Sequence, residues 1–367
     1  MRVLSLALRD FRSYRAAEVA LGEGLTLVSG PNGAGKTNLL EALYFGCTGR
    51  SCRTANEREV VRLGAGATRV VVRSLAEDGP HETAVGFAPG QPKRLSVDGA
   101  VVERLLDAPG RPLVSVFLPD RLELVKGAPA LRRAHLDHLV AALWPARAET
   151  RRAYGQALAQ RNALIARLRA GRGSRGALAS WDLQLARSGV ALMRDRAQAV
   201  EAIAEPAERI GASLGIASDL TVSYRPRSRA TGADALAAEL RERVGEDIER
   251  GFSGHGPHRD ELAIAIGERD LRAYGSQGQQ RIALLALLLA EREAICASRG
   301  APPVMLLDDV MSELDGVRRS ALIELLRAGE GQSVITTTDL EHVPGAGEDG
   351  VVRLSVADGG VLAEVIV

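Results

Sequence analysis

The amino-acid sequence predicts an α/β nucleotide-binding body that a helical insertion splits along the chain. Three observations carry this. Residues 30–37 read Gly-Pro-Asn-Gly-Ala-Gly-Lys-Thr, between the apolar run Leu25–Ser29 and the helix-forming run Asn38–Tyr44. Far downstream, Pro303–Asp309 is an apolar strand that ends in two carboxylates. Between them, from about residue 130 to 250, the pattern turns Ala/Arg/Leu-rich and helical in period, with few β-branched runs.

Taken in order, the first 117 residues alternate short strands with turns: Val3–Leu8, Leu25–Ser29, Val70–Leu75, Thr83–Phe87 and Val114–Phe117. One helix, after the glycine-rich loop, interrupts them. Helical spacing then governs Leu131–Leu143, Ala146–Arg169, Trp181–Ile210 and Ala233–Arg250. Gly171–Gly176, with three glycines in six residues, reads as a hairpin tip between the second and third of these. Strand-like sequence returns at Glu261–Ile266, and a long helix, Gln279–Ala297, follows. The apolar strand Val304–Leu307, a helix Val317–Arg327, the strand Ser333–Thr337 and a terminal strand pair complete the chain. The expected division is a first lobe of residues 1–117 together with 300–367 and a second lobe of residues 118–299. The second holds the insertion (about 130–250) and the helix of residues 274–297.

A length of 367 residues with 46% hydrophobic content is ample for one large or two ordinary domains with a real core. The net charge of +1 names no partner, but its distribution is uneven. Lys126–Val200 holds fourteen basic residues against four acidic ones, Asp137, Glu149, Asp182 and Asp195, or about +10. That segregation suggests a polyanion-facing lobe on a more acidic body. Aromatic residues are scarce there (Trp144, Tyr154, Trp181), so base stacking cannot dominate. Contacts to backbone phosphates remain, and these carry no direct sequence information. Cys47, Cys52 and Cys296 form neither metal-ligand spacing nor a disulfide framework, as suits a reducing cytosol. The N-terminal residues lack a secretory apolar core, and the apolar run Ile282–Ala290 is too short to span a bilayer. A soluble cytoplasmic protein without a membrane partner is expected.

The loop Gly30, Pro31, Asn32, Gly33, Ala34, Gly35, Lys36, Thr37 is the kind whose backbone N–H groups cradle nucleotide phosphates. Its glycines let the backbone wrap an anion, and the following helix points its positive end at it. Lys36 supplies a point charge for the β/γ-phosphates, and the Thr37 hydroxyl a ligand for Mg²⁺. This lysine is one of only 3 in a chain with 44 arginines. At the carboxyl edge of its strand, Asp308 is placed to hold the magnesium shell and Asp309 to polarise an attacking water. A strand–turn boundary capped by aspartates is the plainer reading of that pair taken alone. Ser312-Glu-Leu-Asp315 follows at once, and Thr336-Thr-Thr-Asp339 leaves the next strand where a γ-phosphate sensor could sit. Tyr274–Arg281 opens the long helix with Ser276, Gly278 and Gln279, so hydroxyl, backbone N–H and helix dipole converge on one anion site. A plain cap would need only the serine.

The order of phosphate loop, Ser-x-Gly-Gln helix start, apolar-strand Asp-Asp and Ser-x-Leu-Asp resembles ABC-type ATPase heads, and within them the RecF family. The matching stretches are Leu8–Tyr14, Lys36–Ala42, Gly49–Thr54, Leu124–Gly127, Gly256–Leu262, Ser276–Gln280 and Leu307–Asp315, which span nearly the whole chain in order. Departures are Cys52, where the family usually has His, and Phe117–Asp120, where the class often has Gln at the junction of the lobes. Transporter-type heads use His in the switch position, and Thr338 is the nearest match here.

The resemblance implies an ATP-driven, Mg²⁺-dependent dimer in which the phosphate loop of one protomer faces the Ser276 helix of the other. It implies slow, DNA-stimulated hydrolysis, with ATP as a dimerisation switch. It further implies DNA binding at single-strand gaps and stalled forks, and work with RecR and RecO-type mediators in recombinase loading. Arg53, just past the phosphate-loop helix, is a candidate for charge on the phosphates, and Arg151, Arg152, Arg167 and Arg169 are candidates for DNA contact. Two other classes fit less well. A transporter ATPase usually has a short helical subdomain, whereas about 240 residues separate Lys36 from Ser276. Chromosome-maintenance heads carry coiled coils several hundred residues long, and sustained heptads are absent here.

Overall fold

The structure, a computed structural model, describes residues 1–105, 108, 110–118, 122–217, 219–357 and 360–364. Pro119 and Asp120, part of the expected lobe junction, lie outside the described residues. The chain opens with β1 (Arg2–Phe11), β2 (Tyr14–Ala20), β3 (Leu25–Ser29), α1 (Lys36–Thr48), β4 (Thr68–Ala76), β5 (Gly79–Phe87), β6 (Arg94–Val97), β7 (Ala100–Val101) and β8 (Val114–Phe117). Helices dominate the middle: α2 (Glu123–Lys126), α3 (Pro129–Leu143), α4 (Ala148–Arg169) and α5 (Leu178–Ser213). Then come β9 (Leu220–Arg225), α6 (Ala233–Glu242), α7 (Val244–Arg250), β10 (Glu261–Ile266), β11 (Arg269–Asp270), α8 (Leu271–Tyr274) and α9 (Gln277–Arg299). The last elements are β12 (Val304–Leu307), α10 (Gly316–Ala328), β13 (Ser333–Thr337), β14 (Val352–Ala357) and β15 (Gly360–Glu364).

Two compact units result: Met1–Arg121 with Ser213–Gly215 and Ile295–Val367, and Leu122–Ala212 with Ile216–Ala294. The first unit holds an antiparallel sheet ordered β2-β1-β4-β5-β6-β7 and a sheet ordered β15-β14-β3-β13-β12-β8. In the latter, β14, β3, β13, β12 and β8 run parallel and β15 antiparallel. Every residue of β12 and β13 is buried, which is why both read as near-continuous apolar or small-residue runs. The core joins Leu6, Phe11 and Val70 of one sheet to Leu39, Leu43 and Phe45 of α1 and to Val28, Leu306 and Val334 of the other. Gly46 lets α1 approach closely, since a Cβ there would lie 2.5 Å from the Val72 side chain.

The second unit packs α4 against α5 through Tyr154, Ala157, Leu185 and Leu192. Within it, Arg161 is fully buried and donates to Asp182 at 2.7 Å, Asp247 at 2.6 Å and Ser253 Oγ at 2.7 Å, pinning α4, α5 and α7 together. Arg196 likewise meets Asp137 at 2.8 Å and the Pro257 carbonyl at 2.7 Å. A three-stranded antiparallel sheet, β11-β10-β9, completes this unit.

Several elements differ from the sequence expectation. The strands β2, β6, β7, β9 and β11 are not among those expected. β2 and β7 lie at sheet edges, where one side is solvated and the apolar signal is diluted, and β9 is the outer strand of its small sheet. The single helix expected over Ala233–Arg250 is two, because Arg243 leaves helical geometry at φ −95° and ψ 5°.

Candidate nucleotide-binding site

The order of the parallel strands builds this site. Leu307 on β12 sits opposite Ile335 on β13, and Thr337 on β13 opposite Ser29 on β3. The glycine-rich loop after β3, the acids after β12 and the threonines ending β13 therefore emerge at one carboxyl edge, where open parallel sheets bind ligands.

Local sequence shapes the loop. Gly35 has φ +116°, and a Cβ there would stand 2.9 Å from Ser13 Oγ and 3.0 Å from Tyr14 Oη. Gly30 has φ +150°, and its Cβ would strike the Val356 carbonyl at 2.2 Å. Only glycine fits either position. Tyr14 Oη donates to the Gly35 carbonyl at 3.0 Å, and α1 starts at Lys36 with no side-chain cap. Its first-turn N–H groups are thus left for an anion. Lys36 Nζ folds back on the loop and donates to the Gly30 carbonyl at 2.8 Å and the Pro31 carbonyl at 3.1 Å. Burial lowers the lysine's pKa, against the opposing pull of Asp309 and Asp308.

The acids are held differently from each other. Thr37 Oγ1 lies 2.9 Å from both Asp308 oxygens, and Thr336 Oγ1 donates to Asp308 Oδ1 at 2.7 Å. Burial pushes the Asp308 carboxyl up, while these hydroxyls and the positive charge of Arg53 favour its ionised form. Asp309 is left-handed at φ 45° and ψ 31°. Its N–H donates to Thr336 Oγ1 at 2.9 Å, and its Oδ2 accepts from Ser312 Oγ at 2.9 Å. Its Oδ1 is buried without a hydrogen-bond partner among the described residues. A buried carboxylate oxygen in that state is costly by itself and open to a donor from outside the chain.

Arg53 is half-exposed and reaches Asn38 Oδ1 at 3.0 Å and Glu41 Oε2 at 3.4 Å. Glu41, fully buried on α1, also receives both arms of Arg12 at 2.9 and 2.8 Å and the Ser51 hydroxyl at 2.5 Å. The turn between β1 and β2 and the segment after α1 are thus tied to the helix that carries the loop. Thr338 lies past the end of β13 and is exposed. It is Thr336 that touches the acids. Of the Thr336–Asp339 run, the contact of Thr336 with the acids could not be read from sequence, because only strand register, invisible along the chain, sets it beside Asp308.

In the second unit, Ser276 precedes α9. Its Oγ accepts from the Gln279 N–H at 3.2 Å, and its own N–H donates to Gln279 Oε1 at 2.9 Å, a reciprocal capping box. The cap therefore employs the glutamine side chain as well as the serine. Gly278 differs: a Cβ there would meet only Ser276 Oγ, at 4.0 Å, so local packing does not demand glycine.

The four candidate DNA arginines are all exposed. Arg151 pairs with Asp137 at 3.0 Å, Arg152 with Glu149 at 2.7 Å, and Arg169 donates to the Arg250 carbonyl at 3.2 Å. Arg167 lies on the same helix, α4. Arg132, Arg161 and Arg196 from the same basic segment are buried in ion pairs, but so are its acids Asp137, Asp182 and Asp195, and the exposed part of the segment stays strongly positive. Among the described residues, no helix is long and apolar enough to cross a membrane.

A profile of the AAA domain family matches residues 5–82. The DNA replication and repair protein RecF of Myxococcus xanthus (strain DK1622) is 40% identical, covering 98% of this chain and 97% of its own. RecF of Herpetosiphon aurantiacus is 37% identical, covering 93% and 94%. Among solved structures, the recombination mediator protein RecF with ATP, from the RecFOR pathway, superposes with a TM-score of 0.86 at 26% identity, covering 99% and 97%. The Smc head domain of Pyrococcus furiosus shares the fold at a TM-score of 0.60 and 17% identity. With a parallel sheet, phosphate loop and acid pair of the ABC-type ATPase head, and with this identity along nearly its full length, the chain belongs to the RecF family of DNA replication and repair proteins.

Proposed function

We propose that this chain is a DNA-binding ATPase of recombinational repair and fork maintenance in the cytoplasm, in which ATP switches dimerisation and slow hydrolysis resets it. The observation that carries the reading is the convergence of Lys36, Thr37, Asp308 and Asp309 at one sheet edge. The residues fit a magnesium nucleotide. Among the described residues, uncapped N–H groups, a lysine held by loop carbonyls, and an unpartnered acid oxygen each lack what a phosphate and a water would supply.

In this reading Lys36 exchanges its loop carbonyls for the β/γ-phosphates. Thr37 and Asp308, already joined by their hydroxyl–carboxylate contact, would hold Mg²⁺. Bound there, the ion supplies neutralisation of phosphate charge. Asp309 Oδ1 orients a water and takes its proton. Arg53, paired to Asn38 and Glu41, stands ready to add positive charge. Ser276, Gly278 and Gln279 serve the partner protomer's nucleotide, and Thr338, exposed past β13, serves as the switch residue.

Arg151, Arg152, Arg167 and Arg169 contact DNA backbone, at gaps where RecR and RecO-type mediators load recombinase. That part of the reading rests on family membership and on the exposure of these side chains. The test is dimer fraction by light scattering, with and without ATP and gapped DNA, alongside ATP turnover. ATP-dependent dimers and DNA-stimulated turnover are expected. Turnover indifferent to DNA, or dimers indifferent to ATP, would overturn the reading.

A further inference from the structure

We infer that Thr336 is a positioning residue for hydrolysis: its single hydroxyl couples the two acids and holds Asp309 in the backbone conformation that leaves Oδ1 unpaired. The inference rests on the ATPase reading above. It starts from strain. Asp309 is a non-glycine residue at φ 45°, a conformation that surrounding contacts must enforce.

Two contacts do so. The Asp309 N–H donates to Thr336 Oγ1 at 2.9 Å, and Ser312 Oγ donates to Asp309 Oδ2 at 2.9 Å. A hydroxyl has one proton to give, and Thr336 gives it to Asp308 Oδ1 at 2.7 Å while accepting from Asp309. Its donor and its acceptor are therefore both in use, one on each acid. Thr336 is wholly buried, so no water can take its place. Parallel register sets the geometry, because Leu307 faces Ile335, so Asp308, the first residue past β12, lies beside Thr336 of β13.

Nucleotide binding does not depend on this hydroxyl. Asp308 keeps its contacts to Thr37, and Lys36 with the phosphate loop does not touch Thr336. Thr336→Val preserves shape and removes both hydrogen bonds, so the Asp309 backbone loses a contact that holds it left-handed and Oδ1 loses its fixed direction. The expected result is a fall in turnover of about tenfold or more with ATP affinity retained within about threefold, the pattern of an interaction made only in the reacting state. ATP-bound dimers should last longer in proportion. Thr336→Ser, which keeps the hydroxyl, should restore most of the rate. Ser312→Ala, at an exposed position, should shift turnover in the same direction and tests the idea independently should Thr336→Val not fold.

The experiment measures binding of a fluorescent ATP analogue, dimer lifetime, turnover and melting temperature on the full chain, with Asp309→Asn in parallel. Slow Asp309→Asn with normal Thr336→Val turnover overturns the role of Thr336 alone. So does joint loss of binding and turnover that Thr336→Ser leaves unrepaired. Normal turnover in Asp309→Asn overturns instead the acid-pair reading beneath it.

Discussion

Lys36 and Asp309 differ in when their chemistry is needed. Lys36 already leans over the loop and would meet phosphate in the ground state, so Lys36→Ala should lose nucleotide affinity and dimerisation together. In the proposed reaction Asp309 acts on water after binding. Asp309→Asn should therefore keep affinity, slow hydrolysis by about a hundredfold or more, and accumulate ATP-bound dimers. Nucleotide titration and light scattering separate the two outcomes, and an Asp309→Asn protein that stays monomeric in ATP contradicts the assignment. Tyr14 makes a smaller contribution of another kind. Its hydroxyl ties the loop's Gly35 carbonyl to β2, so Tyr14→Phe should cost about 1 kcal/mol in chemical denaturation.

Helix α4 carries two populations of arginine, and they should respond oppositely to substitution. Arg161 is buried between Asp182 and Asp247. Arg161→Ala strands two buried carboxylates and should cost about 3–5 kcal/mol of stability, read from a denaturant midpoint. Arg152 is exposed with Glu149 one turn away, and Arg152→Ala should move stability by no more than about 0.5 kcal/mol. Neutralising Arg151, Arg152, Arg167 and Arg169 together should instead weaken DNA binding on every sequence alike. It should also flatten the dependence of log affinity on log salt, by roughly one unit for each phosphate no longer neutralised. Unchanged affinity at low salt would mark α4 as a solvated face.

At the level of the whole molecule, Lys36 belongs to the first compact unit and Ser276 to the second. If each ATP is shared between protomers, Lys36→Ala and Ser276→Arg homodimers both fail, because every site carries one defect. A mixed dimer concentrates both defects in one site and rebuilds the other. Mixing the two inactive proteins should then trap about one nucleotide per mixed dimer, measured by retention of labelled ATP. Mixed dimers that form yet trap no more than either parent would leave Ser276 as the helix cap its hydrogen bonds to Gln279 already make it.

What could be read along the chain was whatever short-range chemistry constrains. The phosphate loop requires particular residues at fixed spacing, and its flanking strand and helix show in the local pattern. Val304–Leu307 and Ser333–Thr337 were legible to the residue, because strands buried on both faces must be free of long polar side chains. The Ser276 helix start was legible too, though not the reciprocal bond that gives Gln279 its local task. The tertiary structure alone decided the rest. That Thr336 contacts Asp308 and Asp309 depends on β12 and β13 lying side by side in a given register. That pairing joins residues 28 apart in sequence, and a one-residue slip would turn the hydroxyl away. The fate of the arginines was equally hidden. Composition counts charges, but only the fold brings Asp182 and Asp247 to Arg161 and leaves Arg167 in solvent, since burying a charge requires partners from distant segments.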